Sequence, residues 1–435
     1  MSMAESAMAL GLKALNRFAG SRTVDKLGLR ALAERGLYHS ARAGFATVGS
    51  VGRSFSAASK LLQAERLPRA ASAGLFDLTP TEEQQMLREA ASSFAQGQLR
   101  EAASAADTAA AAPAELLKES AALGFAVLGI PEAFGGAGAT RSTVTNVLIA
   151  EALAEGDLSL AVACLAPSAV ATALTLWGNA TQQAQYLPSF VADNAPAAAL
   201  AIQEPQALFD PFALKTVATR SDGGYVLNGV KSLVPRGAEC ELFVIAALLD
   251  GLPRLFIVES KTPGITLSAE PAMGLRAAST TRLTLNRVVL EAPALLGSTA
   301  DYAECIALSR LAWCALATGC GKAVLDHVIP YANERIAFGE PISHRQAVAF
   351  MIADISVELD ALRLATWRAA ALAERGEDFV REAAIARQLA TDKAMRIGND
   401  GVQVLGGHGF TKEYPVERWY RDLRACGFME GVVLV

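Results

Sequence analysis

The sequence predicts an α+β chain, helical at both ends with a β-domain set between, and three observations carry that prediction. Alanine and leucine supply much of a 52% hydrophobic fraction while aromatic residues make up 6%, a composition that favours helix. Apolar residues recur at helical spacing from about 76 to 195 and again after 298. Between them, over roughly 196–297, Val, Thr and Leu alternate and Gly-containing turns recur, which reads as β-structure. A chain of 435 residues is long for one core, so the order helices, strands, helices implies several units.

Residues 1–75 stand apart. They carry eleven Lys and Arg against four acids, and "LGLKALNRFAGSRTVDKLGLRALAERGL" sets leucines at helical spacing with basic residues between. Three readings are open: a docking or membrane-surface helix, a transit peptide, and a solvated extension. The expected location is bacterial-type cytoplasm, with membrane association through 1–75, or the mitochondrial matrix if 1–75 is a transit peptide. The next unit, 76–195, opens at "LFDLTPTEEQQMLREAASSFAQGQLR". There Thr79 or Thr81 caps a helix, with Pro80, Glu82 and Glu83 expected in its first turn. Its helical pattern is broken by the turn "PEAFGGAG". The β-unit, 196–297, holds a hairpin around Asp222-Gly223-Gly224 and two further strands in "FVIAALLDGLPRLFIVES". Helical segments then fill 298–435.

Composition excludes some functions. A net charge of −5 and a pI near 5.6 leave no basic footprint for nucleic acid. The six cysteines show no CxxC and read as small buried hydrophobes. The four histidines form no HExxH or HxH pair, so no metal is expected. No apolar run was expected to reach the 18 or so residues of a membrane span.

Several motifs have bland readings singly. "VLGGHGF" reads as a helix ended by glycine. "ERIAFGEPISHRQ" reads as a helix–loop–helix connection with a surface Arg, and "RWYRD" puts Arg418 and Asp422 at i, i+4, where an ion pair is expected. In "GFMEGVVLV" a single carboxylate, Glu430, sits among Phe428, Met429, Val432, Val433, Leu434 and Val435. A carboxylate in such company is expected to be dry, with a raised pKa.

In order and spacing, "GFAVLGIPEAFGGAG", "AIQEPQALFDPFALKTVAT", "YVLNGVK", "MGLRAASTTRLTLNRVVL", "ERIAFGEPISHRQ", "GVQVLGGHGFTKEYPVERWYRD" and "MEG" resemble the acyl-CoA dehydrogenase family of flavoenzymes across about 76–435. The resemblance implies an N-terminal helical domain, a middle β-barrel or sandwich domain and a C-terminal four-helix bundle. It implies oxidation of an acyl-CoA thioester to the 2,3-enoyl-CoA, with electrons passed to an electron-transfer flavoprotein. The family's base lies in a Glu-Gly pair shortly after Arg-Asp, which is Glu430 after Arg421-Asp422. A retained family Arg is similar to Arg310; the residue before it, where some members carry the acid, is Ser309. The resemblance further implies FAD lying across a dimer interface, its nucleotide half held by Arg335, Phe338, Gln346, Gln403 and the helix end at Gly407. Helix-terminal amides and Arg suit pyrophosphate.

The flavin-facing positions depart from the family. Gln203 stands for a flavin-contacting Thr in "QEPQALFD" and Phe209 for a Ser. Leu233 and Pro235 replace a Trp-Ile-Thr strand, and Val432 replaces a Thr after the base. Three readings follow: an FAD-dependent acyl-CoA dehydrogenase, as a homodimer or homotetramer; a non-catalytic or half-site subunit of a heteromer; and a flavin enzyme acting on a non-CoA or carrier-bound substrate.

Overall fold

The computed structural model describes residues 78–136, 141–192 and 194–435; the basic extension 1–75 and its docking, membrane or transit readings lie outside them. The described chain has the expected order. Helices α1 (Glu82–Phe94), α2 (Arg100–Ala109), α3 (Ala114–Ala122), α4 (Thr143–Gly156), α5 (Leu158–Trp177) and α6 (Ala180–Phe190) come first. Thr81 is the cap of α1, in a capping box with Gln84. Pro80 therefore precedes the cap rather than lying in the first turn.

Eight strands follow: β1 (Ala198–Ala201), β2 (Val217–Ser221), β3 (Gly224–Val234), β4 (Leu242–Leu249), β5 (Leu252–Glu259), β6 (Ile265–Ala269), β7 (Thr281–Glu291) and β8 (Leu295–Leu296). They form one sheet in the order β6-β7-β3-β2-β4-β5-β8, with β1 parallel on β4. Asp222-Gly223 closes the β2–β3 hairpin, and Asp250-Gly251, both at positive φ, closes β4–β5. Strand β4 is buried on both faces. Phe243, Ile245 and Ala247 join a cluster with Leu227 of β3 and Leu283 of β7, so the sheet folds over its own core. Leu242, Val244 and Ala246 face a second cluster shared with α5 and the helices that follow the sheet.

Those helices are α7 (Thr299–Glu334), α8 (Gln346–Glu374), α9 (Val380–Leu405) and α10 (Val416–Ala425). A two-strand hairpin, β9 (Ile336–Ala337) and β10 (Glu340–Pro341), links α7 to α8. Close approach of α7 to α4 requires Gly319, because a Cβ there would lie 2.0 Å from the Glu151 carbonyl oxygen. Contrary to the sequence expectation, α5 and α7 have the length and hydropathy of a membrane span; α5 contains no charged residue. Both are packed inside the protein, with 89% and 83% of those stretches buried. All six cysteines are free and buried, and burial pushes the Cys314 thiol up to about 12. Among the described residues no group of three or more His, Cys, Asp or Glu is placed to hold a metal ion.

Candidate active site

After α10 the chain turns and runs along β1. The Glu430 N–H donates to Gln203 Oε1 at 3.1 Å, and Val432 bridges antiparallel to Leu200. Polar side chains hold this segment on both sides of Glu430. Arg387, buried on α9, donates to the carbonyls of Cys426 and Met429, the latter at 2.7 Å. Ser309 Oγ and Trp313 Nε1, one turn apart on α7, both donate to the Gly431 carbonyl at 2.7 and 3.0 Å.

The Glu430 carboxylate is buried, 6% of the residue being exposed. It does not lie among apolar groups alone, as the sequence implied. Arg310 grips it, with Nε 3.0 and 3.1 Å from its two oxygens and Nη2 2.9 Å from Oε1; Arg387 Nη2 lies 3.9 Å away. A buried carboxylate needs such partners to remain charged. Phe428, an apolar neighbour in the sequence, is half exposed.

The turn after the base is tight. Gly431 adopts φ +76 and Val432 φ +79, with the Val433 N–H bonded to the Gly431 carbonyl. A Cβ on Gly431 would meet Ile202 Cβ at 2.8 Å. Gly431→Ala is expected to destabilise the protein by about 1–3 kcal/mol and to displace Glu430, measurable by denaturant unfolding.

The positions expected to face a flavin pack against the chain itself. Gln203 is buried against the Glu430 amide, and Val432 packs in the main core with the half-buried Leu233 against it. Leu233, at φ +54, donates its N–H to Glu270 at 2.8 Å, and Pro235 is buried. Phe209 packs on the second core beside Leu208, which is fully exposed at φ +51. Below this loop lies a pair that sequence reading missed. Glu204 accepts from Lys231 Nζ at 2.8 Å and from the Lys215 and Thr216 amides at 2.7 and 2.9 Å. Burial pulls Lys231 down to about 8 against the opposing pull of Glu204. For Glu204 burial pushes up, but Lys231 and the amide donors win, leaving it below the usual range.

Of the predicted nucleotide residues, Arg335 and Gly407 line an open groove of about 320 Å³ where α7 ends and α9 stops, and Phe338, Gln346 and Gln403 do not line it. Arg335 is the exposed C-cap of α7. Phe338 is 95% exposed at φ +55 under the Arg345 guanidinium, and Gln346 opens α8. Gln403 lies exposed on the last turn of α9, followed by Gly406 and Gly407 with open space at their Cβ positions. Glu340 of the hairpin is taken by Arg345 at 3.0 Å, and Arg335 has no ion-pair partner among the described residues. One expectation is corrected here. The helix end at the paired glycines is a C-terminus, so α9 presents carbonyls; the amides belong to the short 3-10 turn Gly406–Phe410.

The expected Arg418–Asp422 ion pair does not form. Arg418 reaches Asp157 at the start of α5, 3.0 Å away, while Asp422 Oδ1 accepts the Leu275 N–H at 2.6 Å. Arg421 binds Asp107 and Glu417. These contacts tie α2, α5 and the β-unit to α10. Burial, then the Asp157 charge, push Asp422 up to about 8. The folded state therefore keeps a proton that the unfolded chain releases near its ordinary value of 3.8. Stability from this group falls as pH rises between those two values and levels off above the upper one. Asp422→Asn keeps the Leu275 acceptor without the charge, and is expected to flatten that decline in unfolding measured from about pH 5 to 9.

The carboxylate lies on an extended segment between the β-unit and the helical bundle, apart from the open groove at the end of α9. The comparisons give the chain's family. Residues 81–194, 199–288 and 299–433 match the N-terminal, middle and C-terminal domain models of acyl-CoA dehydrogenase. The "Acyl-CoA dehydrogenase" of Bacillus subtilis (strain 168) is 32% identical over 363 residues, covering 81% of this chain and 95% of the relative. The structure of butyryl-CoA dehydrogenase from Megasphaera elsdenii superposes with a TM-score of 0.76 at 29% identity, over 82% of this chain and 96% of that one. The FAD complex of PigA gives 0.75 at 26% identity, over 82% and 96%. The chain belongs to the acyl-CoA dehydrogenase family, FAD-dependent oxidoreductases acting on CH–CH bonds.

The residues present fit FAD in part. The open groove, its unpaired Arg335 and its bare glycine backbone suit the dinucleotide's diphosphate. On the side expected to face the ring, Gln203 Oε1 is taken by the Glu430 N–H and Val432 offers no side-chain hydrogen bond.

Sequence reading missed Arg387, although a signal was present. It sits on the buried stripe Ala383, Ala386, Ala390 and Ala394 of α9, where a charge requires a partner. The holding roles of Ser309 and Trp313 carried no such mark.

Proposed function

We propose that the chain dehydrogenates an acyl-CoA thioester at its α and β carbons, with Glu430 removing the α-proton. The observation that carries this reading is the burial of Glu430 on a segment pinned by Arg387, Ser309 and Trp313. A base so fixed loses little freedom when it attacks a weak carbon acid. Arg310 pairs with the carboxylate at 2.9 Å and must yield one of its contacts when the thioester enters. FAD, when bound, supplies the acceptor for the β-hydrogen as hydride, and Arg335, Phe338, Gln346, Gln403 and Gly407 would hold its nucleotide half across a subunit boundary. Electrons then pass to an electron-transfer flavoprotein. The assembly is a homodimer or homotetramer, in keeping with the exposed Phe338, Phe350, Val357 and Leu364.

A second reading has its own observation. Gln203, Leu233 and Val432, expected to face the ring, pack against the chain itself while the nucleotide face stays open, which suits a half-site subunit completing a partner's FAD. Purifying the protein, recording its visible flavin spectrum and adding acyl-CoAs anaerobically separates the two. A yellow protein bleached by substrate supports the enzyme. A colourless protein that co-purifies with a flavin-bearing homologue contradicts it in favour of the half-site subunit.

A further inference from the structure

The groove at the end of α9 contains a side chain that the cofactor positions above leave out. His408 lines it beside Arg335 and Gly407. Its Nδ1 lies 2.9 Å from Tyr331 Oη, its ring stacks on Tyr414 with centroids 5.2 Å apart, and no partner holds Nε2 among the described residues.

The Tyr331 hydroxyl has one proton and two neighbours, His408 Nδ1 and the Leu405 carbonyl at 3.4 Å. Both contacts are hydrogen bonds at once only when Nδ1 carries a proton and donates to the tyrosine oxygen, while the hydroxyl donates to Leu405. That arrangement leaves Nε2 to gain or lose the second proton at the groove.

The groove's electrostatics give this proton a use. Helix α9 ends at Leu405, so its dipole presents partial negative charge to any phosphate bound there. The amides of the 3-10 turn Gly406–Phe410 offset part of this, and side-chain cations supply the rest, of which Arg335 is a fixed one. We infer that His408 is a second, proton-dependent cation of this groove, and that together with Arg335 it binds the diphosphate of a nucleotide more tightly as pH falls. The inference rests on reading the groove as a nucleotide site. The titratable and charged groups against His408 are Tyr331, Tyr414 and, in the same groove, Arg335; Glu413 precedes Tyr414 in the chain, and His327, one turn earlier on α7, meets Tyr414 rather than His408. Only histidine among these ordinarily changes charge between about pH 6 and 8. His327 is partly buried, and burial, then Arg100, hold it below the ordinary range.

The test uses the full chain and ADP-ribose, whose diphosphate is a diester of constant charge over that range. Wild type is expected to bind ADP-ribose about tenfold tighter at about pH 6 than at about pH 8 by calorimetry. His408→Gln is expected to bind equally at both pH values with the affinity wild type has at the higher one. Arg335→Gln should weaken binding at both and keep the slope. Repeating the series with FAD and with coenzyme A assigns the diphosphate to one source, whichever shows the His408-dependent slope. A slope that survives in His408→Gln overturns the inference while leaving the nucleotide site intact. Failure of wild type to bind ADP-ribose, FAD or coenzyme A at either pH overturns both.

Discussion

Glu430→Gln is expected to lower the rate of acyl-CoA dehydrogenation by about 10²–10⁴-fold while leaving the fold in place. Glutamine matches glutamate in size and still offers an oxygen to Arg310, and its backbone keeps the bond to Gln203. What it cannot do is accept a proton from carbon. The loss should appear in the reductive step, followed by anaerobic stopped-flow bleaching, with circular dichroism unchanged and melting lowered less than in Glu430→Ala. Glu430→Ala makes the contrast. It strands Arg310 beside a small cavity and leaves Arg387 without a neighbouring anion, so both stability and rate should fall.

The largest effect on stability is expected from Glu204→Ala. Lys231 is fully buried, and its ammonium has Glu204 at 2.8 Å and the Ile202 carbonyl at 3.1 Å as partners. Removing the carboxylate leaves a buried cation and two backbone amides without their acceptor, which costs about 3–5 kcal/mol. The Glu204→Leu/Lys231→Met pair should recover most of this loss, short of what the Lys215 and Thr216 amides forfeit. Denaturant unfolding of the three proteins checks the order. Because Glu204 adjoins Gln203, Glu204→Ala should also loosen the contact to Glu430, seen as faster hydrogen exchange at the 430 amide.

Most of the architecture was legible from local pattern. Helical spacing marked the two helical regions, Thr79 or Thr81 marked the first cap, and Asp222-Gly223-Gly224 marked the β2–β3 hairpin, because each depends on residues a few positions apart. Glu430 was legible because a charge in an apolar run is conspicuous. Its partners were not. Arg310, 120 residues away, was marked only by the family resemblance and not as a partner of Glu430, and Arg387 reaches backbone carbonyls that carry no side-chain signature. Local reasoning also misled. Arg418 and Asp422 have the spacing of a helical pair, yet Arg418 bonds to Asp157, 261 residues distant, because α10 turns that face to the core. The bare apolar composition of α5 suits a membrane or a protein interior equally, and only packing distinguishes them. At the flavin-facing positions the substitutions were readable one by one. That Gln203 meets Glu430 while Val432 pairs with Leu200 was visible only once β1 and the final segment lay side by side.

Proton removal by Glu430 is the central claim, and exchange at the substrate's α-carbon tests it most directly. The protein is incubated with an acyl-CoA in deuterium oxide and the recovered thioester is weighed by mass spectrometry. Wild type should introduce deuterium at the α-carbon, or form enoyl-CoA, at a rate at least about a hundredfold above Glu430→Gln. Equal exchange by the two proteins, or none by wild type under conditions where acyl-CoA binds, would contradict the assignment of Glu430 as the base.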